Sequence, residues 1–400
     1  MALGQQVRAL NAAGDFEGAR QAATQALALA PGHPIVLADL ALCQMRLNDF
    51  DAARLTYLQA VRAQPDNENT LDGLAECCGR SGRLDEAATH GRRALALKAA
   101  QVAGQPAWPL PAAQPPAFDA SRPERNLVVF TLFGANPRYC ETALMNVLDV
   151  ARLLPGWRCR IYLDASVPTH VQQRLATAGA QLVDMGSHPA RAIHPLMWRF
   201  LVLDDPTVDR FLLRDADSLV SEREVAAVQA WLDSGHWFHL MRDYCTHSEL
   251  LLAGMWGGCG GVFRGVATQL LDATRRPPQL GTRLIDQHWL RSHAWPTVRQ
   301  SVLAHDTVFG FDGGLPFPTH PPVASDIEFH VGMNMGSAHI GAATSAPDGT
   351  PITWCLVDLA VQREVCRYST PARGGRWGAD LPRLYAVQLQ AGRWRCDVMP

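Results

Sequence analysis

The spacing of apolar positions changes near residue 126. Before it, small and apolar residues recur at a fixed step. Gly14, Asn48 and Gly82 lie 34 apart, as do Phe16, Phe50 and Leu84. Ala19, Ala53 and Ala87 keep the step, and so do Ala26, Ala60 and Ala94. Pro31 and Pro65 share it too, with Ala99 in the third place. The pattern predicts stacked helix pairs. Alanines let paired helices approach closely, glycine or asparagine suits the tight turn between them, and proline ends each unit. Beyond residue 126 short apolar runs alternate with amphipathic stretches. Strands are predicted over 127–133, 159–163, 181–185 and 210–213, and helices over 139–153, 171–177 and 196–203. That order predicts an α/β region, a mostly parallel sheet covered by helices, with ligands at the carboxyl ends of its strands. In the less regular stretch 341–400, residues 353–361 and 385–390 read as strands.

The step and its residue types resemble the tetratricopeptide repeat, in three copies over residues 1–100. Phe16 and Phe50 staple the turns to the core. The bland alternative is three generic helical hairpins. Three units are about the minimum for a stable stack, and such a stack binds a peptide or protein partner, forms a dimer, or braces its neighbour. Residues 101–124 hold Pro106, Pro109, Pro111, Pro115, Pro116 and Pro123, which forbid a regular helix and predict a stiff, extended linker. Trp108 and Phe118 are costly to leave in water, so this linker is expected to pack along the α/β region. The expected domains are 1–100, the linker 101–124, a catalytic domain over 125–340, and its extension over 341–400.

Composition narrows the function. With 18% charged and 48% hydrophobic residues the chain is globular, and a net charge of −2 gives no pull toward nucleic acid or an anionic membrane. No stretch is long and apolar enough to span a bilayer, and Asp15 and Glu17 argue against a signal peptide, so the expected compartment is cytoplasmic. Ten cysteines without a C-x-x-C read as buried thiols. Lys98 is the one lysine, which excludes a P-loop, kinase or Schiff-base lysine from the C-terminal part.

Asp215-Ala216-Asp217 closes a predicted strand. In extended chain, residues two apart point to one side, so both carboxylates can face one cation, Mn²⁺ or Mg²⁺, and the cation would neutralise a diphosphate. Asp49-Phe50-Asp51 has the same form but lies in a repeat turn, where it is structural.

The order of motifs around this pair resembles the GT-A glycosyltransferases, and most the retaining family of glycogenin and the lipopolysaccharide galactosyltransferases. Gly134-Ala135-Asn136-Pro137-Arg138-Tyr139 comes after the first strand. Met197-Trp198-Arg199-Phe200 stands where a helix precedes the metal strand. Gly257-Gly258-Cys259-Gly260-Gly261-Val262 and Asp286-Gln287-His288-Trp289-Leu290 come later. The resemblance covers roughly residues 126–340 and implies a Rossmann-like GT-A fold using a nucleotide-sugar donor, UDP-linked. It implies nucleoside contacts from Asn136 and Tyr139, whose alternative is a turn residue and a core-capping tyrosine. It implies that Asp215 binds ribose or shares the metal, that Asp217 ligates it, and that Arg199 pairs with the diphosphate or the aspartates. Gly257 and Gly258 would let the donor sugar approach, or form a flexible loop. Asp286 and Gln287 would lie under the reacting sugar; Asp286 is otherwise an N-cap, or the general base of an inverting enzyme. No lysine is present to fill the family's last motif. His305 and His330 are the candidate third ligands, and Arg199 or Arg214 the candidate cation. The competing reading is a repeat-based interaction protein with an inactive transferase fold.

Overall fold

The computed structural model describes residues 2–276, 284–322, 329–335 and 338–399. Helices α1 (Ala2–Ala13), α2 (Phe16–Leu29), α3 (Pro34–Arg46), α4 (Phe50–Ala63), α5 (Glu68–Arg80) and α6 (Leu84–Gln101) pair as three hairpins. The turns within the hairpins fall on Gly14, Asn48 and Gly82, with φ of 78°, 62° and 77°. Left-handed backbone of this kind is open to glycine and tolerated by asparagine. Asp15 and Asp49 cap α2 and α4, accepting from Gly18 N–H at 2.9 Å and Ala52 N–H at 3.2 Å. Such caps are worth ~1 kcal/mol each. Asp49 is thus structural, and Asp51 beside it takes Arg83 at 2.8 Å. Where Pro31 and Pro65 come just after the 14-residue α2 and α4, Ala99 stands in α6, which runs on to 18 residues.

The chain continues with β1 (Asn126–Leu132), α7 (Pro137–Leu153), β2 (Arg158–Leu163), α8 (Thr169–Thr177), β3 (Gln181–Asp184), a 3₁₀ helix (Pro195–Asp204), β4 (Arg210–Arg214) and α9 (Glu222–Leu232). Next come β5 (Phe238–Arg242), β6 (Met255–Cys259), α10 (Val266–Arg275), α11 (Ile285–Trp289), α12 (Trp295–Val298) and β7 (Val302–Asp306). The last elements are β8 (Ala338–Ala343), β9 (Pro351–Asp358), β10 (Arg363–Pro371), β11 (Arg376–Leu381), α13 (Arg383–Gln390) and β12 (Trp394–Val398). Among the described residues no helix is long and apolar enough to cross a membrane.

The chain divides into two compact units, neither contiguous in sequence. The first comprises Met1–Ala107, His239–Leu252 and Leu290–Pro318; the second comprises Trp108–Phe238, Ala253–Trp289 and Thr319–Pro400.

In the first unit the hairpins share two apolar cores. One holds Ala41, Met45, Ala53, Tyr57, Leu74 and Ala87 with Phe50 packed against it; the other holds Val7, Ala19, Ala22 and Ala23. The later segments are packed onto these helices. A Cβ at Gly79 would collide with Cys245, and one at Gly91 with the Phe309 ring. Lys98 is buried, donating to Asp72 at 2.7 Å and to the Ser248 carbonyl at 2.5 Å. Arg291 pairs with Glu249 and lies 3.7 Å from Glu68.

In the second unit the strand order is β3-β2-β1-β4-β6. The first four are parallel, with Phe130 opposite Ile161 and Val128 opposite Leu212, while β6 runs antiparallel to β4. The sheet is therefore mixed. Every residue of β4 and β6 is buried, as strands covered on both faces require. The proline-rich stretch packs here as its aromatics demand. Trp108 meets the Phe263 ring at 5.1 Å, and Phe118 stacks on Trp157 at 5.5 Å. The C-terminal stretch adds two small antiparallel sheets, β10-β9-β12 and β11-β8. The first sheet and α13 are tied in through Glu141 of α7, a fully buried carboxylate. It receives Arg174 at 2.6 and 2.8 Å, Tyr368 at 2.5 Å and Tyr385 at 2.9 Å.

Residues 385–390 are not the strand their alternation suggests; they belong to α13. Pro382 takes extended backbone at its N-cap, and Tyr385 and Ala386, adjacent in sequence, are both buried. Two neighbours facing inward fit a helical period and not a strand's.

Candidate active site

The site grows from the carboxyl end of β4. Phe211, Leu212 and Leu213 are fully buried, and the chain leaves the sheet at Asp215. The expectation of extended chain across the aspartate pair is not met. Ser218 folds back, its N–H 3.4 Å and its hydroxyl 3.2 Å from the Asp215 carbonyl, so 215–218 is a turn. The turn still leaves both aspartates on one cavity. Asp215, Ala216 and Asp217 line a cavity of about 160 Å³ with Thr131, Phe133, Tyr139, Leu196 and Arg199.

Arg199 organises the floor. It sits on the 3₁₀ helix, whose apolar residues are buried on nearly every side, so its guanidinium is buried with them. Its backbone N–H donates to the Thr131 hydroxyl at 3.0 Å. Its Nη1 donates to Asp215 at 2.6 Å and to the Arg214 carbonyl at 2.9 Å, and its Nη2 to Asp286 at 3.1 Å. Burial alone would weaken its hold on the proton; Asp215 and Asp286 outweigh that and raise its pKa. Asp286, in the first turn of α11, is buried and also accepts the Gln287 N–H at 2.9 Å. Burial pushes its pKa up while Arg199 draws it down. Gln287 is half-buried beside it.

Asp217 has a different partner, Arg138, whose Nη2 lies 2.7 Å from its carboxylate. Burial, then the charge of Asp215, raises the Asp217 pKa against the pull of Arg138. Arg138 stands in the first turn of α7. Asn136 caps that helix by accepting the Arg138 N–H at 3.0 Å, and Asn136 itself is exposed. The Arg138 guanidinium is 5.0 Å from the centre of the Tyr139 ring, which forms part of the cavity wall.

Two site residues carry no motif of their own. Arg138 lies inside the Gly134–Tyr139 loop, between the two residues that the resemblance selects. Gly254 precedes β6, and a Cβ there would strike the Asp215 carboxylate and backbone. The glycines of β6 serve another purpose. Gly257 pairs with Leu212, and Gly258 makes room for the rings of Phe238 and Phe211. Arg214 is buried against Glu224 of α9.

Asp215 and Asp217 fit a divalent cation as hard oxygen donors in mutual repulsion. Among the described residues no third histidine, cysteine or carboxylate completes a three-ligand cluster with them. Mg²⁺-like ions commonly take one or two carboxylates and complete their shell with phosphate and water. His330 belongs to the same unit, in a segment that returns beside the pair. There Asn334 bridges Ser218, and Met335 N–H donates to the Asp217 carbonyl at 2.8 Å. His305 belongs to the first unit, buried on β7 against Phe317 at 5.5 Å, and burial lowers its pKa to about 4.

Residues 10–69 match the family profile of the tetratricopeptide repeat. The chain thus begins with such repeats and goes on into a mixed sheet with helices. No curated protein sequence matches the chain. Among solved structures, it is similar to an O-GlcNAc transferase of Thermobaculum terrenum at 17% identity, covering 48% of this chain and 42% of that one, with a TM-score of 0.26. It is also similar to the type III secretion chaperone SycD of Yersinia enterocolitica in complex with a peptide of the translocator YopD. There the identity is 20%, covering 24% of this chain and 73% of that one, with a TM-score of 0.24. The first repeat domain of Spaghetti (RPAP3), bound to an HSP90 peptide, matches at 20% identity, covering 24% and 76%, with a TM-score of 0.24.

Proposed function

We propose that the second unit is a GT-A glycosyltransferase that moves a sugar from a nucleoside diphosphate donor, UDP-linked, to an acceptor hydroxyl. Asp215 and Asp217 carry the proposal: two carboxylates at the end of a buried parallel strand, opening on a cavity with an aromatic wall. A bare diphosphate would be repelled there, so the site calls for Mn²⁺ or Mg²⁺ between carboxylates and phosphate. Asp217 and Asp215 are the proposed protein ligands. Since no histidine among the described residues completes a cluster with them, phosphate and water are proposed to fill the rest of the shell in place of His330 or His305. Tyr139 is proposed to flank the nucleoside and Asn136 to shape its loop.

Transfer with retention is favoured over inversion. Asp286 is fixed by Arg199 and enclosed, its side chain 8% exposed, which suits positioning the sugar face better than collecting an acceptor proton. Gln287 is proposed to stand beside the same face. The helical repeats are proposed to take a peptide or protein partner along the groove of about 370 Å³ lined by Arg8, Leu29, His33, Ile35 and Asp39.

One observation favours the second reading, an inactive transferase fold kept as part of an interaction protein. Both aspartates already hold arginines of their own chain. Hydrolysis of UDP-sugars by the full chain, with Mn²⁺ and with chelator, decides between them. Cation-dependent release of UDP supports the transferase; no release from any UDP-sugar, with cation present, sinks it.

A further inference from the structure

We propose that Arg138 is the phosphate-binding cation of this site, parked on Asp217 until a divalent ion takes that carboxylate. The proposal rests on reading the site as one for a nucleoside diphosphate. It begins from a shortage. The second unit contains no lysine, so a permanently charged side chain for an anionic ligand there is an arginine. Two arginines touch the aspartate pair, and they are differently placed. Arg199 is buried, with its Nη1 and Nη2 committed to Asp215, Asp286 and the Arg214 carbonyl. It is a fixture. Arg138 has Asp217 as its carboxylate partner, keeps 22% of its side chain exposed, and lies over the Tyr139 ring at the cavity. Its Nε is enclosed without a hydrogen-bond partner, as is that of Arg199, so exposure and not the orphan donor separates the two.

An enclosed donor without an acceptor leaves a hydrogen bond for a ligand oxygen to make, and Arg138, though not part of the cavity wall, lies against Tyr139, which is. Guanidinium suits that ligand, because its planar fork takes two phosphate oxygens at once. The charge accounting is consistent as well. A divalent ion on Asp217 replaces the positive charge that Arg138 supplies, and the freed guanidinium swings to the diphosphate that arrives with the ion. Cation and nucleotide are thereby coupled through one side chain.

Calorimetric titration of the full chain with UDP in Mn²⁺, and with Mn²⁺ alone, tests this on wild type, Arg138→Ala and Arg138→Lys. The alanine variant should bind UDP about tenfold to a hundredfold more weakly, the loss expected for a charge-assisted pair. It should bind Mn²⁺ alone more tightly, since Asp217 has lost its competitor. Lysine should restore part of the UDP affinity. Arg138→Ala with wild-type melting and wild-type UDP affinity overturns the proposal. Equal Mn²⁺ affinity in the two proteins overturns its exchange step. A wild-type chain that takes up no UDP removes the nucleotide reading itself, and the role of Arg138 with it.

Discussion

Asp217 lies between Asp215, which pushes its pKa up, and Arg138, which pulls it down. If it holds the cation, Asp217→Asn should leave the fold intact and cut donor hydrolysis by about 10²–10³, the usual worth of a fixed electrostatic group. Asp49→Asn is the matched control, because asparagine caps a helix as well as aspartate does. Kinetics and melting curves on both variants check this; equal losses would put the site elsewhere. Gly254→Ala probes the same carboxylate from below. The added methyl must displace Asp215, and a misplacement of that kind costs roughly 10² in rate. Overpacking should also lower stability by about 1–3 kcal/mol, seen by denaturant titration. His305 offers a pH test. Its folded pKa is lowered to about 4 from 6.5. Between those values the unfolded chain binds a proton that the folded chain refuses, so stability falls as pH drops from 6.5 toward 4. His305→Leu should flatten that limb of the stability–pH curve; an unchanged limb would show that other groups set it. The aspartate pair is legible in the sequence because a doubled carboxylate after an apolar run stands out. Arg138 and Gly254 are not, because each owes its position to a partner some 40 to 80 residues away along the chain.

At the scale of elements, the strands and helices of the 126–214 stretch fall within a few residues of their expected bounds. The strands are short and apolar and the helices amphipathic, so local pattern suffices. Tyr385–Gln390 misleads because alternation over six residues satisfies both periods, and only the proline at its start breaks the tie. The third hairpin shows what one substitution does to an element. Ala99 lets α6 continue past the point where α2 and α4 stop, and Lys98 lies in that continuation. Ala99→Pro restores the repeat's own punctuation inside a helix. It should remove one backbone bond, disturb the Lys98–Asp72 pair, and cost about 3 kcal/mol. A melting curve like that of wild type would show that the last turn of α6 contributes little.

At the scale of the molecule, local pattern stops being informative. A 34-residue period reports which helices stack; it carries no sign that His239–Leu252 and Leu290–Pro318 join them. Those joins are made by single close fits, Gly79 against Cys245 and Gly91 against Phe309, and by the buried Lys98 on Ser248. A chain beginning at Ser121 deletes one side of every such fit. It should therefore lose cooperative melting and aggregate, even though the proline-rich stretch looks like a place to cut. Recovery of a sharply melting protein from that deletion would refute the dependence.

The same interleaving sets a schedule for synthesis. Residues 1–107 leave the ribosome first, but Arg291 and Phe309, which close their unit, emerge almost two hundred residues later. At the usual elongation speed of about 5–20 residues per second that gap lasts roughly 10–40 s. For about 140 residues of it the seat for Cys245 at Gly79 stands open and Lys98 waits without Ser248; the seat for Phe309 at Gly91 stands open to its end. The helical repeats are thus made early and finished late, and nascent chains arrested before residue 290 should remain far easier to cleave by protease in α5 and α6 than the released protein.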